Sequence, residues 1–232
     1  MEGAFKSFRI PRQLLNKMII KGAPLLLNET LWSMGMAFLN QCYSTRGLNV
    51  VAAQNISGTI FNLFFMATMA MGNGIAILVG QDLGSGDMEK AKETDRRIFA
   101  VSIVMSLGLG LILLSVAKYI PYIYKTTDDV RHLATQLLYV CTCFMPVYAF
   151  NHCSYFTMRT GGRTIITFLL DTGYTWLVGV PVAFYLGNFT DIPMLEMYII
   201  VEACNILKMA VGFFLVKSGI WARNIVRDLA KV

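Results

Sequence analysis

The chain has 232 residues, of which 56% are hydrophobic and 15% charged, and its formal net charge is +6. This composition is too apolar and too poor in charge for an ordinary soluble domain, so it indicates a membrane protein. The positive charge would also fit nucleic-acid binding, but Lys and Arg flank the apolar runs instead of forming one basic stripe, so no nucleic-acid partner is expected.

Six apolar runs are long enough to cross about 30 Å of hydrocarbon. They cover residues 24–42, 50–79, 98–117, 133–158, 164–186 and 194–216. Residues 1–22 mix Lys and Arg with apolar residues and lack the continuous apolar core of a signal peptide, so we expect a cytoplasmic amphipathic linker segment there. The sequence therefore predicts a six-helix transmembrane bundle over residues 23–218 and a cytoplasmic tail over residues 219–232.

Most of the 20 Lys and Arg residues lie beside one face of the predicted bundle. They precede the first run and follow the second, fourth and last runs. By the positive-inside rule this face is cytoplasmic. Both termini are therefore expected in the cytoplasm, and the bundle in the plasma (inner) membrane.

The stretch GQDLGSGDMEKAKETDRR, residues 80–97, separates the second and third runs. Its glycines suggest a phosphate-binding loop, which would need a GK[ST] sequence before a helix. No such sequence follows, and the carboxylates of Asp82, Asp87 and Glu89 would repel a phosphate. A tight turn explains the stretch better than an anion site.

This turn has recognisable start and stop signals. Gly84 can adopt the left-handed conformation that ends the incoming helix, and Asp87 can cap a helix that begins at Met88, which is worth about 1 kcal/mol. The residues assigned to the cytoplasmic turn are Gly80, Gly84, Gly86 and Asp87.

Four polar side chains from four different runs lie at one depth near the bilayer midplane. Counting 1.5 Å per residue from the nearest flanking Lys or Arg places each of them about 12–14 Å inside. They are Glu29, Asn151, Asp171 and Lys208. Asp171 and Lys208 carry opposite charges on consecutive helices, so we expect a structural ion pair between them.

Glu29 has no evident cation at its depth. A carboxylate in the bilayer without a fixed cation either takes up a proton or captures Na⁺. Glu29 is therefore the candidate cation-coupling residue, and a structural hydrogen-bond acceptor is the alternative. The remaining acids of the runs, Glu196 and Glu202, lie toward the outer half of the last run.

Polar, aromatic and sulfur-containing side chains mix in the second and fourth runs. Soft Met and flat aromatic surfaces suit many apolar cations, and amides supply adaptable hydrogen bonds. The candidate substrate-cavity residues are Gln54, Asn55, Asn62, Phe65, Met69, Tyr148, Asn151 and His152. Packing between transmembrane helices is the alternative role for these polar residues, including the lone His152.

Several segments resemble, in order, the motifs of the multidrug and toxic compound extrusion (MATE) family. The turn VGQDLGSGDMEKAKE has the form GQxLGxGxxxxAK, and RTGGRT, LLDTGYTWLVGVPVAFYLG, VEACNILK and SGIWARNI follow it. The resemblance implies an all-α membrane protein in which this six-helix bundle is the second lobe of a twelve-helix transporter. It also implies export of small organic, often cationic, compounds, with H⁺ or Na⁺ as coupling ion and an N-terminal six-helix lobe as partner.

One feature departs from the family pattern. Some members carry a cation-coupling acid in the first helix of this lobe, three positions further from the proline than Glu29. At that position this chain has Trp32. A lipid-linked oligosaccharide flippase of the same superfamily is an alternative, as is a non-autonomous half-transporter that only pairs with a separate N-terminal lobe.

Two other classes are not expected. A membrane enzyme would need a constellation such as HExxH, GxSxG or clustered acids on a helix, and none occurs. The cysteines form no CxxC pair, so neither a metal site nor a metal cofactor is predicted.

Overall fold

Six long helices and one short 3₁₀ turn make up most of the part of the chain that the structure describes. The structure is a computed structural model that describes the backbone of residues 12–222 and the side chains of residue 23 and residues 26–222. The helices are α1 (Arg12–Ser44), α2 (Leu48–Ser85), α3 (Met88–Val116), α4 (Asp128–Thr160), α5 (Thr164–Phe189) and α6 (Met194–Lys217). The 3₁₀ turn Ile120–Ile123 lies between α3 and α4. The predicted all-α six-helix bundle is confirmed.

Five of these helices, α2 to α6, are long and apolar enough to cross a membrane by length and composition. α1 does not reach the same hydropathy over its described residues, because Asn28, Glu29, Asn40 and Gln41 interrupt its apolar side chains. The first predicted run is therefore the most polar of the six.

The predicted boundaries at the two ends of the chain fall partly outside the described residues. α1 continues without a break from Arg12 into the first run, so the described part of the 1–22 segment belongs to the same helix. Residues 1–11 of that segment and residues 223–232 of the predicted tail lie outside the described range.

α4 is the centre of the bundle. It packs against α2, α3 and α6, whereas α1 lies mainly against α5 and α2. Leu137, Leu138, Met145 and Met158 of α4 are fully buried. Close packing of this kind is what holds helices together in lipid, where burial of apolar surface gives no advantage over the lipid tails.

Two helices contain π-helical turns. Ile75–Val79 in α2 is π-helical, and so are Leu169–Gly173 and Thr175–Gly179 in α5. A π-turn adds a residue to the normal repeat, so the side chains beyond it point in a different direction from those of a regular α-helix. Faces counted at 3.6 residues per turn therefore shift along α5.

The turn between α2 and α3 is built by Gly86 and Asp87. Gly86 is left-handed, with φ of 89°, and it ends α2. The prediction that Gly84 has this conformation is wrong by one half-turn: Gly84 is still helical, and the chain turns only at the next glycine. Asp87 accepts a hydrogen bond from the backbone N–H of Lys90 at 3.0 Å and so caps α3.

The acidic side chains of this turn are held by neighbouring donors. Thr94 donates to Asp82 Oδ2 at 2.6 Å, and Lys90 Nζ lies 3.0 Å from Asp82 Oδ1. Asp82 thus engages the ammonium that a bound phosphate would need. The arrangement is that of a turn stabilised by its own side chains.

Candidate functional site

A strip of aromatic rings runs along α2 and α4. This aromatic face consists of Phe61 and Phe65 of α2 and Tyr148, His152 and Phe156 of α4, all of them half-buried. Phe61 and Phe65 stack with ring centroids 5.4 Å apart, and Tyr148 meets them edge-on at 5.5 and 6.1 Å. A spacing of four residues keeps the rings on one side of each helix. Because the rings are only half-buried, part of their surface is open to a ligand.

His152 extends the aromatic face along α4. Its ring lies 6.3 Å from that of Phe65 and 4.9 Å from that of Phe156. Its Nε2 donates to the backbone carbonyl of Met69 at 3.2 Å. Gly72 permits this approach of α2 and α4, because a Cβ at that position would come within 2.7 Å of His152 Nε2. His152 therefore anchors the two helices to each other and keeps part of its ring open.

The other predicted cavity residues fall into two groups. Asn55, Asn62 and Met69 are exposed on α2, and Gln54 is half-buried. Asn151 instead is buried, and its Nδ2 donates to a backbone carbonyl of α6 at 3.1 Å. This side chain ties α4 to α6 and offers little surface to a ligand.

Tyr148 connects the aromatic face to a carboxylate on α6. Its hydroxyl donates to Glu202 Oε2, and Asn205 Nδ2 donates to the same oxygen at 2.9 Å. Glu202 is half-buried, and no Lys or Arg among the described residues forms an ion pair with it. Nearby, the Tyr198 hydroxyl lies 2.8 Å from Cys141 Sγ. The sequence placed Glu202 in an apolar run, which is the same signal that singled out Glu29, yet its tyrosine partner was not foreseen.

Glu29 differs from the expectation in two respects. Its side chain is 54% exposed, and Arg159 Nη1 lies 3.9 Å from its Oε1. Tyr155 also donates to Oε1, at 3.3 Å. The expectation of a carboxylate without a cation is therefore wrong, because α4 ends with an arginine that reaches back to α1. Neighbouring Asn28 is the buried residue here, and its Oδ1 accepts from Thr172 at 2.8 Å.

Asp171 and Lys208 lie in contact across α5 and α6. Lys208 Nζ donates to Asp171 Oδ1 at 3.0 Å, and the side chains are only 14% and 18% exposed, respectively. Asp171 belongs to the first π-helical turn of α5. Each charge depends on the other at this depth, because a partly buried ion without its partner is strongly destabilising.

Comparison with known proteins identifies the family. The family model MatE matches residues 24–185. The chain belongs to the MatE family. Among the relatives of this MatE chain, Multidrug and toxin extrusion protein 1 of Homo sapiens is 22% identical over 169 residues, covering 70% of this chain and 28% of the relative. Multidrug resistance protein NorM of Photobacterium profundum is 27% identical over 144 residues, covering 62% and 32%.

Solved structures of MATE transporters share the fold. An outward-facing structure of a multidrug resistance MATE family transporter matches with a TM-score of 0.79 at 19% identity, covering 94% of this chain and 49% of that chain. An inward-facing structure matches with a TM-score of 0.80 at 18% identity, covering 94% and 50%. This MatE chain spans about half the length of these structures, so its fold is one half of the MATE transporter fold.

Proposed function

We propose that this chain is the C-terminal lobe of a cation-coupled multidrug exporter that removes small organic, often cationic, compounds. The proposal is supported by a fold that covers half of the MATE transporter fold and by relatives named as multidrug extrusion and multidrug resistance proteins. Its proposed partner is an N-terminal six-helix lobe. We place the bundle in the plasma (inner) membrane, with both termini in the cytoplasm.

The single observation that carries the substrate class is the open aromatic face. An aromatic ring attracts a cation over its face with about 0.5–2 kcal/mol, depending on how far the site is desolvated. The lobe itself provides an example, since the guanidinium of Arg159 lies 5.7 Å from the ring centroid of Phe156. Met69 and Asn62 are exposed on α2, the helix that carries Phe61 and Phe65, and they add a polarisable and a polar surface. Such a mixture accepts many flat organic cations without requiring one shape.

Coupling to H⁺ or Na⁺ is proposed at Glu29. A cation bound to its carboxylate would weaken the attraction for Arg159, whose Nη1 lies 3.9 Å away. Arg159 also covers the rings of Tyr155 and Phe156, at 5.9 and 5.7 Å. Release of this arginine would change the end of the aromatic face. Cation binding and substrate binding would then be linked through one mobile side chain.

The flippase alternative is less well supported. A lipid-linked oligosaccharide carries phosphates, which need cationic side chains free to bind them. Lys208, the cation at mid-depth, is held by Asp171 at 3.0 Å. The described interior thus offers an ion pair where that substrate would require a free positive charge.

Dye efflux from cells tests the proposed function. The chain would be expressed with a first-lobe bundle, and export of a fluorescent organic cation would be followed under imposed H⁺ and Na⁺ gradients. We expect Phe65→Ala to lower efflux about fivefold, corresponding to about 1 kcal/mol of lost cation–π attraction. Phe214→Ala is the matched control, because Phe214 is 68% exposed and not part of the aromatic face.

Equal efflux by the two phenylalanine variants, or no efflux by the unaltered protein, would contradict the substrate proposal. For the coupling proposal, Glu29→Gln should reduce the response of efflux to the gradient while dye still binds. Full gradient-driven efflux by Glu29→Gln would show that another residue couples the cation.

A further inference from the structure

Glu202 is a second carboxylate inside the bundle, and the proposed function does not use it. It lies eight residues after Met194, about 12 Å into α6 at 1.5 Å per residue. An ionisable side chain near the bilayer centre costs about 2.5–3.5 kcal/mol on insertion scales, so it needs a means of neutralisation. Within residues 26–222, no Lys or Arg supplies it by direct pairing.

The groups that face Glu202 do not supply a charge either. Its titratable neighbours are Tyr43 of α1, Cys141 and Tyr148 of α4, and Tyr198 and Cys204 of α6 itself. Tyrosine and cysteine side chains are mainly uncharged at pH 7. α2 contributes the rings of Phe61 and Phe65, which contact Tyr148. On α5 and further along α6, Asp171 and Lys208 neutralise each other.

The direction of the hydrogen bonds favours a proton over a metal cation. Tyr148 and Asn205 both donate to Glu202 Oε2, so hydrogen atoms already point at that oxygen. A hard cation needs several oxygen atoms with lone pairs directed toward it. The Asn205 amide turns its N–H₂ group to the carboxylate, and it therefore offers no lone pair there. A proton needs only one acceptor oxygen.

We propose that Glu202 is a proton-binding carboxylate that controls the aromatic face through Tyr148. This inference rests on the proposed function and names a second coupling residue in the same lobe. In the ionised state the carboxylate of Glu202 accepts a hydrogen bond from the Tyr148 hydroxyl. When one proton from solution binds Glu202 Oε2, the new O–H can donate to the tyrosine oxygen, and the tyrosine O–H then turns away from Oε2. The same proton later returns to water on the other side, so the lobe is unchanged after a cycle.

The link to the substrate surface is direct. The Tyr148 ring packs edge-on against Phe61 and Phe65, with centroids 5.5 and 6.1 Å away. Of these three rings, Tyr148 is the one whose hydroxyl bonds to Glu202. A change in the hydroxyl's partner therefore acts on a ring that belongs to the aromatic face.

Infrared spectroscopy of the purified full chain in phospholipid vesicles tests proton binding without requiring transport. A protonated carboxyl group gives a C=O band that is distinct from that of a carboxylate. We expect the band of the unaltered chain to lose one component in Glu202→Gln, and that component to vanish as the pH is raised. Glu196→Gln is the control, since Glu196 is an exposed acid of the same helix. An unchanged band in Glu202→Gln would overturn the inference.

Tyr148→Phe keeps the carboxyl group and guards against loss of folding in the glutamine variant. It removes a hydrogen bond to the ionised form, so the Glu202 component should persist to higher pH. In the efflux assay the same variant should lose most of its gradient response. A component and an efflux response that both equal those of the unaltered chain would also overturn the inference. If the unaltered protein exports no dye but shows the Glu202 component, the proposed exporter function fails while the proton site stands.

Discussion

Two tyrosines of α4, seven residues apart, each donate to a glutamate, and the two pairs differ in everything else. Tyr155 donates to Glu29, which is 54% exposed and lies 3.9 Å from Arg159. Tyr148 donates to Glu202, which is half-buried and also accepts hydrogen bonds from Asn205 and Tyr198. The first carboxylate has a cation beside it to stabilise its charge. The second has only neutral donors, so a proton is the remaining means of removing its charge.

The depth of a carboxylate in the bundle and the presence of a cation beside it are separate properties. Both acids interrupt apolar runs, and counting along the helices places each of them about 12 Å inside its helix. The contacts distinguish them, because among the described residues an arginine from the end of a neighbouring helix lies 3.9 Å from Glu29 and none pairs with Glu202. A carboxylate's surroundings, rather than its distance along a helix, decide whether it needs a proton.

The largest loss in the free energy of unfolding is expected at Asp171, a carboxylate that is paired with a fixed cation, Lys208. Asp171→Asn leaves Lys208 partly buried without its partner, and we expect a loss of about 3–5 kcal/mol in the free energy of unfolding. The double variant Asp171→Asn with Lys208→Gln should recover part of this loss. Thermal unfolding in detergent measures both. Equal stabilities of the single and double variants would show that the pair is not coupled.

A smaller effect separates the two tyrosines directly. At a pH where both glutamates are ionised, Tyr148→Phe should cost about 1.5–3 kcal/mol, because it removes a donor from a half-buried charged acceptor. Tyr155→Phe should cost less than about 1 kcal/mol, because its hydrogen bond is long, at 3.3 Å, and Arg159 still lies beside the carboxylate. Denaturant titration of the two variants in parallel gives the difference. Equal costs would remove the distinction between the two sites.

The smallest effect concerns the exposed ion pair. Arg159→Gln should change the free energy of unfolding by about 0–1 kcal/mol, since surface pairs are weak and screened by salt. The change should shrink further as the salt concentration rises. A salt-independent loss as large as that of Asp171→Asn would mean that Glu29 and Arg159 form a buried ion pair, contrary to the exposure of Glu29.

Much of the fold follows from local signals in the sequence. The apolar runs predicted the six helices, and the position of Asp87 before Met88 predicted its cap. The equal depth and opposite charge of Asp171 and Lys208 predicted their ion pair. The family resemblance supplied the half-transporter fold. Each of these depends on composition, local chemistry or sequence motifs, which are legible without knowing how helices rotate against one another.

The candidate site was less predictable, because it depends on how the helices are rotated against one another and on which long side chains extend to a neighbouring helix. Whether Tyr148 faces Glu202 is decided by the rotation of α4 relative to α6, and depth alone does not fix this. The π-helical turns of α5 shift its faces after residue 169. Gly86 rather than Gly84 ends α2, because both glycines can adopt the left-handed conformation and only the packing of the turn selects one. Asn151, predicted to line the cavity, is buried and bonds to α6.

Proton release on substrate binding tests the central claim most directly. The chain, assembled with a first-lobe bundle and carrying Glu29→Gln, would be titrated with an organic cationic dye in weakly buffered solution while the protons released are counted. With Glu29 neutral, the account predicts that dye binding still releases protons and that adding Glu202→Gln abolishes the release. No release from the Glu29→Gln protein, or undiminished release from the double variant, would contradict it.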